Sequence, residues 1–425
     1  MNRASQDFDK PPSIDLEETK RIFSAETFQR LFALIGPHLA DGKRTLVYVL
    51  PASSRFAHMA LEPWALHNVH GQSFEQILVI IRDRRLLQYG DAIHRLSSRV
   101  VKFVETTNDQ VVKLGHFDAP LMEKGPLTLL LQSPQMLFQD LFRHLISGKS
   151  IRHLQLPEDI RLEGNTWLTD LGVKDTEPIV TVHMREDSYL QSLRYNSFRV
   201  MKPANYEPAL LHLLDKGYRV FRLGDRGSSR LTLNHPRFVD LPFSDGYRDF
   251  MDLVLLSRAR FAICCTSGPE GPTRALGTPM LVVNAILDPM FILNCHDLLQ
   301  PKTYLDASDL KELDYEKILF SGTVDYSTAS NFEAGGVIVE ENTPDELLAA
   351  VKEMEARLDG TFIDDTDLAT RLASINTRYA LHRAELPSPH VEMDIPHCKE
   401  FAFSLPWVKF CHAYSTKHPN FLCSV

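Results

Sequence analysis

The sequence has 425 residues, 44% of them hydrophobic and 24% charged, and a net charge of −9. That length exceeds one ordinary core, so two domains are the default. The acidic balance, with Lys and Arg spread along the chain, argues against nucleic acid as the main partner, because a phosphate backbone demands basic stripes.

Residues 1–15 are polar, carry both charge signs and read as a disordered leader without the apolar core of a secretory signal. No apolar run approaches the roughly 20 residues needed to span a bilayer, so a cytoplasmic protein is expected. From Leu16 to Ile35, Ile22, Phe23, Phe28, Leu31, Phe32 and Ile35 recur at helical spacing. Thr45–Leu50, ended by Pro51, and Gln76–Ile81 are short continuous apolar runs, the mark of buried strands. Val100–Val104 and Leu127–Leu131 are weaker strands of the same kind. Helical segments separate all four, and such alternation predicts a parallel sheet covered by helices.

Asp159 to Pro178 is polar and reads as an irregular boundary. The alternation then restarts. Strands are expected at Ile179–His183, Arg219–Leu223, Phe238–Leu241, Phe261–Cys265, Met280–Asn284 and Gly336–Val339. Helices are expected at Asn205–Lys216 and Tyr247–Arg258. Thr343-Pro344-Asp345-Glu346 reads as a capping box with proline in the first turn, opening a helix that runs to about Leu358. The expected class is α/β: a leader, a Rossmann-like domain over 16–165, a second over 175–360, and a helix and tail over 361–425 packing across both. In the tail, Asp365 or Thr366 reads as a helix cap.

The six cysteines, Cys264, Cys265, Cys295, Cys398, Cys411 and Cys423, form no CxxC pair. Cys264 and Cys265 sit in a core strand, where a thiol acts as a small apolar group. The last three lie near His397 and His412 without the tight paired spacing of a zinc site. No metal and no cofactor are expected.

Chemistry is expected where strands end, because ligands of open α/β sheets bind beyond the carboxyl ends. Ser267 to Thr273 follows one strand. Gly268 and Gly271 let backbone approach a ligand, and the N–H groups of Gly268, Glu270, Gly271 and Thr273 can donate to phosphate. His183-Met184-Arg185-Glu186-Asp187 follows another; Arg185 suits a diphosphate, and Glu186 or Asp187 would orient Arg185 or bind a sugar hydroxyl. Arg194, Tyr195 and Asn196 add polar groups, and Gly224 and Asp225 end a third strand at the same edge. In the N-terminal half, His58 lies just past the first strand, and Glu62 shares its helix face, a pair suited to deprotonating a hydroxyl. A plain strand-to-helix turn, a surface salt bridge and a helix-capping histidine are the structural alternatives for these same residues.

Together these motifs resemble a family of predicted bacterial glycosyltransferases from surface-polysaccharide and protein-glycosylation clusters, over about residues 43 to 425. The elements that carry the resemblance are Arg55-Phe56-Ala57-His58, His183 to Asp187, Arg194-Tyr195-Asn196-Ser197 with Tyr206, Arg222-Leu223-Gly224-Asp225, Asp252 to Phe261, and Pro301-Lys302. Ala57 stands where the family has glycine. The Ser267-Gly268 loop is also similar to that of heptose transferases, with Gly271 where they carry histidine, and the His-x-Arg element is similar to that of fucosyltransferases.

The resemblance implies a GT-B fold, two Rossmann-like domains facing across a cleft, with the nucleotide-sugar donor in the C-terminal half and the acceptor mostly in the N-terminal half. It implies metal-independent transfer of a sugar to a hydroxyl of a glycan, a lipid-linked glycan or a protein, with His58, Glu62 and Arg185 as the catalytic set. Peripheral membrane association is one setting for a lipid-linked acceptor. A nucleotide-sugar epimerase and a non-catalytic glycosyltransferase-like binding subunit are the rival readings.

Overall fold

The computed structural model describes residues 16–39, 42–86, 90–186, 196–288, 294–385, 403, 405 and 407–423. The described chain divides into two compact units, one up to Ile160 and one from Arg161 onward.

The first unit opens with α1 (Leu16–Ile22) and α2 (Ala25–Ile35). The single helix expected here is broken at Ser24, whose hydroxyl accepts the Thr27 N–H and caps α2; a serine side chain competes with the helical ladder and favours a cap. Then come β1 (Thr45–Val49), α3 (Phe56–His70), β2 (Gln76–Arg82), α4 (Asp91–Ser97), β3 (Lys102–Thr106), α5 (Asp109–Lys113), β4 (Met122–Lys124), β5 (Leu127–Leu130) and α6 (Pro134–Ile146). The sheet order is β3-β2-β1-β5-β4, parallel except for β4. Strand order reverses between β1 and β5, which fixes one crevice at their carboxyl ends.

Helix α3 is buried along most of its length from Met59 to Asn68, as its near-continuous apolar sequence dictates. It contains Pro63, which has no N–H to give the carbonyl four residues back. That carbonyl, of Met59, instead accepts the Ser97 hydroxyl of α4 at 2.6 Å.

The span expected to be irregular contains α7 (Glu158–Asp170). Its buried Ile160 and Leu168 and its Trp167, against Phe221, carry an apolar stripe on an otherwise charged helix.

The second unit continues with β6 (Ile179–His183), α8 (Glu207–Asp215), β7 (Arg219–Leu223), β8 (Phe238–Asp240), α9 (Phe250–Arg258), β9 (Phe261–Cys264), α10 (Glu270–Leu276), β10 (Met280–Ala285) and β11 (Leu298–Pro301). These six strands are all parallel, in the order β11-β10-β9-β6-β7-β8. Read from β8, this is the 3-2-1-4-5-6 order of dinucleotide-binding sheets, with its reversal between β6 and β9.

The remaining elements are β12 (Thr303–Asp306), α11 (Tyr315–Phe320), α12 (Ala329–Ala334), β13 (Val337–Glu340), α13 (Pro344–Leu358), α14 (Thr366–Glu385) and α15 (His412–Lys417). The strand expected at Gly336–Val339 is β13, but it pairs antiparallel with β12 in a separate ribbon and does not extend the main sheet. The capping box of α13 forms as read, Thr343 with Glu346. Asp365 accepts the N–H groups of Asp367 and Leu368 at the start of α14. Within this unit α14 is tied down by Tyr315 to Asn376 and by Arg383 to Asp325. Phe410 bridges to Leu299 of β11.

Candidate functional site

Each unit carries a polar cluster at its own strand-order reversal. In the first, β1 runs out at Leu50 and Pro51, and α3 starts at Phe56, so His58 stands in the first helical turn. Its Nδ1 lies 2.6 Å from Glu62 Oε1. The other carboxylate oxygen of Glu62 accepts the Tyr48 hydroxyl at 2.6 Å. Glu62 and Tyr48 are fully buried, whereas the His58 side chain is 25% exposed. A carboxylate on Nδ1 fixes the tautomer with the proton there and leaves the Nε2 lone pair outward. Burial and the Glu62 carboxylate push the Tyr48 hydroxyl well above its ordinary pKa, so it remains a donor.

His116, not anticipated from sequence, belongs to the same edge. It ends a short 3-10 turn, Leu114–His116, laid against β1. Gly115 permits that approach: a Cβ there would lie 2.3 Å from the Val49 carbonyl oxygen. Burial, then Arg55, Arg82 and His58, push the His116 pKa down to about 4, so the imidazole is neutral. Beyond β5, Asp118 accepts the Ser133 amide at 2.7 Å and its hydroxyl at 3.1 Å.

In the second unit, β6 and β9 lie side by side, with Val182 opposite Ile263. Met184–Glu186 therefore emerges beside Cys265–Ser267. Among the described residues the Arg185 guanidinium has no carboxylate partner, while its carbonyl accepts the Met201 N–H at 3.1 Å. Glu186 does not orient it. Glu186 pairs with Arg222 and accepts the Ser229 N–H at 3.0 Å, because the fully buried Arg222 guanidinium needs a counter-charge at that strand end. Asp225 accepts the Gly227 N–H at 2.7 Å and so closes the turn that Gly224 begins. Asn196 is buried at the start of the 196–199 turn. Asp187, Arg194 and Tyr195 lie outside the described residues.

The expected row of amides narrows. The N–H groups of Glu270, Gly271 and Thr273 bond to the carbonyls of Ser267, Gly268 and Pro269 at 3.3, 3.2 and 3.3 Å, because α10 starts by winding a tight turn on them. The Thr273 hydroxyl also turns inward, to Pro269 O at 2.7 Å. Glu270 is buried against Arg274, and burial, opposed by Arg274 and Arg199, raises its pKa to about 7. The Ser267 amide lies against the Glu270 carboxylate, whereas the Gly268 amide and the Ser267 hydroxyl have no partner among the described residues.

His183 faces this loop with Nδ1 3.6 Å from Cys265 Sγ. Burial, then the nearby Arg185 and Arg222, lower its pKa to about 3. Lys302 is buried and donates to the Val200 carbonyl at 2.8 Å, anchoring the segment that follows Asn196; burial lowers its pKa to about 8.

Among the described residues no group of three or more His, Cys, Asp or Glu side chains is placed to hold a metal ion, and no helix is long and apolar enough to cross a membrane. In the tail, Cys411 is buried and Cys423 exposed, both unpaired thiols; Cys398 and His397 lie outside the described residues.

No protein-family model matches the chain. No curated protein sequence matches it either. Among solved structures the chain is similar to a glycosyl transferase family 9 protein from Veillonella parvula DSM 2008, at 10% identity and a TM-score of 0.46, over 75% of this chain and 98% of that one. It is similar to the iron-containing heptosyltransferase TibC, solved in complex with ADP-D-beta-D-heptose, at 14% identity and a TM-score of 0.37, over 75% and 77%. It is also similar to the E. coli heptosyltransferase WaaC with ADP, at 13% identity and a TM-score of 0.28, over 69% and 99%.

Proposed function

We propose that the protein transfers a sugar from a nucleotide-sugar donor to a hydroxyl of a glycan, a lipid-linked glycan or a protein. The observation that carries this reading is Arg185: a guanidinium without a carboxylate among the described residues, at the strand-order reversal of a 3-2-1-4-5-6 sheet, two residues in register from the uncommitted amide of Gly268 and one from the Ser267 hydroxyl. A cation and peptide donors at a sheet's carboxyl edge suit a diphosphate.

In this reading the second unit holds the donor and the first the acceptor. The acceptor hydroxyl gives its proton to His58 Nε2 as its oxygen bonds the anomeric carbon. Glu62 stabilises the resulting imidazolium, and Tyr48 holds Glu62. The bond from the anomeric carbon to the diphosphate breaks, and the nucleoside diphosphate leaves with its new charge beside Arg185, Ser267 and Gly268. Asn196, and Asp187 and Arg194 by sequence position, remain assigned to the donor.

Calorimetry with a panel of nucleoside diphosphates tests this. Saturable binding of one of them that weakens in Arg185→Ala is the expected result; no binding, or binding indifferent to Arg185, overturns the reading. Conversion of a donor sugar without any acceptor would identify an epimerase instead.

A further inference from the structure

By its place in a core strand Cys265 is expected to act as a small apolar filler. Its surroundings give it a chemical task. The sulfur is buried, with a pKa that burial raises to about 12, so it is a thiol and not a nucleophile. Its single proton is within reach of His183 Nδ1, 3.6 Å from the sulfur, and an imidazole nitrogen is a far better acceptor than a thiol sulfur. An imidazole that accepts at Nδ1 and is neutral carries its proton on Nε2.

We infer that Cys265 is a positioning residue that locks His183 as the Nε2–H tautomer, making this imidazole an uncharged hydrogen-bond donor to a phosphate or sugar oxygen at the β6–β9 crevice. The thiol and the imidazole form one relay across the strand-order reversal, and the relay arises because Cys265 leaves β9 two residues past Ile263, which pairs with Val182, the residue before His183 on the adjacent parallel strand. Two guanidinium groups nearby, Arg185 and Arg222, oppose a charge on His183. The donor to the ligand is therefore the neutral ring, and the positive charge of the site stays on Arg185.

This inference rests on the donor-site reading above, but its first test does not. Long-range ¹H–¹⁵N correlation spectra of histidine-labelled protein, with His183 assigned by its loss in His183→Gln, report the tautomer directly. The wild type and Cys265→Ser, whose hydroxyl donates in the same way, should show the Nε2–H form; Cys265→Ala should show a mixture. The Nδ1–H form in the wild type, or an unchanged tautomer in Cys265→Ala, overturns the inference. Calorimetry with the nucleoside diphosphate that binds the wild type is the second arm. Cys265→Ala should weaken it about fivefold, the size of one hydrogen bond, and Cys265→Ser less than about twofold; equal affinities in all three would overturn the role toward ligand. If the tautomers behave as stated and no nucleotide binds, the donor-site reading fails and takes the ligand role with it, while the Cys265–His183 relay stands.

Discussion

Nδ1 of His58 lies 2.6 Å from a carboxylate oxygen of Glu62, one helical turn further along α3. The partner that aims this carboxylate, Tyr48, comes from β1. Replacing His58 by alanine should lower turnover by roughly 10²–10⁴-fold while nucleoside diphosphate affinity stays unchanged. Tyr48→Phe should keep the base and lose its aim, with a fall of roughly fivefold, the equivalent of one hydrogen bond. Release of nucleoside diphosphate in the presence of acceptor measures both.

Arg185→Ala should weaken nucleoside diphosphate binding by about ten- to hundredfold, the range of charge-assisted hydrogen bonds. Because the guanidinium has no carboxylate among the described residues, the melting temperature should hardly move. A large loss of stability in differential scanning calorimetry would mean that Arg185 supports the fold.

Much of this fold was legible because its strands are buried on both faces. β1, β2, β6, β7, β9 and β10 each read as a short apolar run, and each run became a parallel strand. β11 escaped notice because Gln300 and Pro301 interrupt the apolar signal, although both are buried. Helix α7 was read as irregular because its charged face outweighs a narrow apolar stripe. The His58–Glu62 pair follows from a spacing of four along one helix. Tyr48, His116 and Cys265 join their sites across separate elements, so no local spacing announces them. The partnership of Glu186 with Arg222 was hidden for the same reason, and so was the inward use of the Glu270, Gly271 and Thr273 amides.

Ser97→Ala should strand the Met59 carbonyl that Pro63 leaves without an intrahelical donor. Burying an unsatisfied carbonyl costs about 1–3 kcal/mol. Urea unfolding should show a lower midpoint with an unchanged slope. Valine at 97 should be no better, since it fills space without donating.

The C-terminal helix α15 is held by His418, set between Glu312 and Glu346 at 2.7 Å each, with Lys417 3.1 Å from Glu346. Hydrogen bonds to Glu346 and Glu312, against some burial, raise the His418 pKa above its ordinary 6.5. Its contribution is thus fully present below pH 6.5 and is lost as pH rises through the raised value. For Glu346, burial pushes upward, but bonds from His418, Thr343 and Lys417 outweigh it and bring the pKa from 4.5 down to about 2. That contribution is complete above pH 4.5 and is lost as pH falls through about 2. The stability difference between wild type and His418→Gln should be largest between these limits and shrink in alkaline buffer. A difference that grows with pH would contradict the clamp.

Arg222 bonds Glu186, Asp240 and the Ser229 carbonyl from a fully buried position, and the same two carboxylates take the Ser229 and Leu231 amides. The wall beyond β7 is therefore set before anything arrives, and little chain there has to lose freedom when a guest settles. Selectivity between rival guests would then be decided by the shape this wall already has, and swapping Glu186 for alanine would blur that choice even with Arg185 intact.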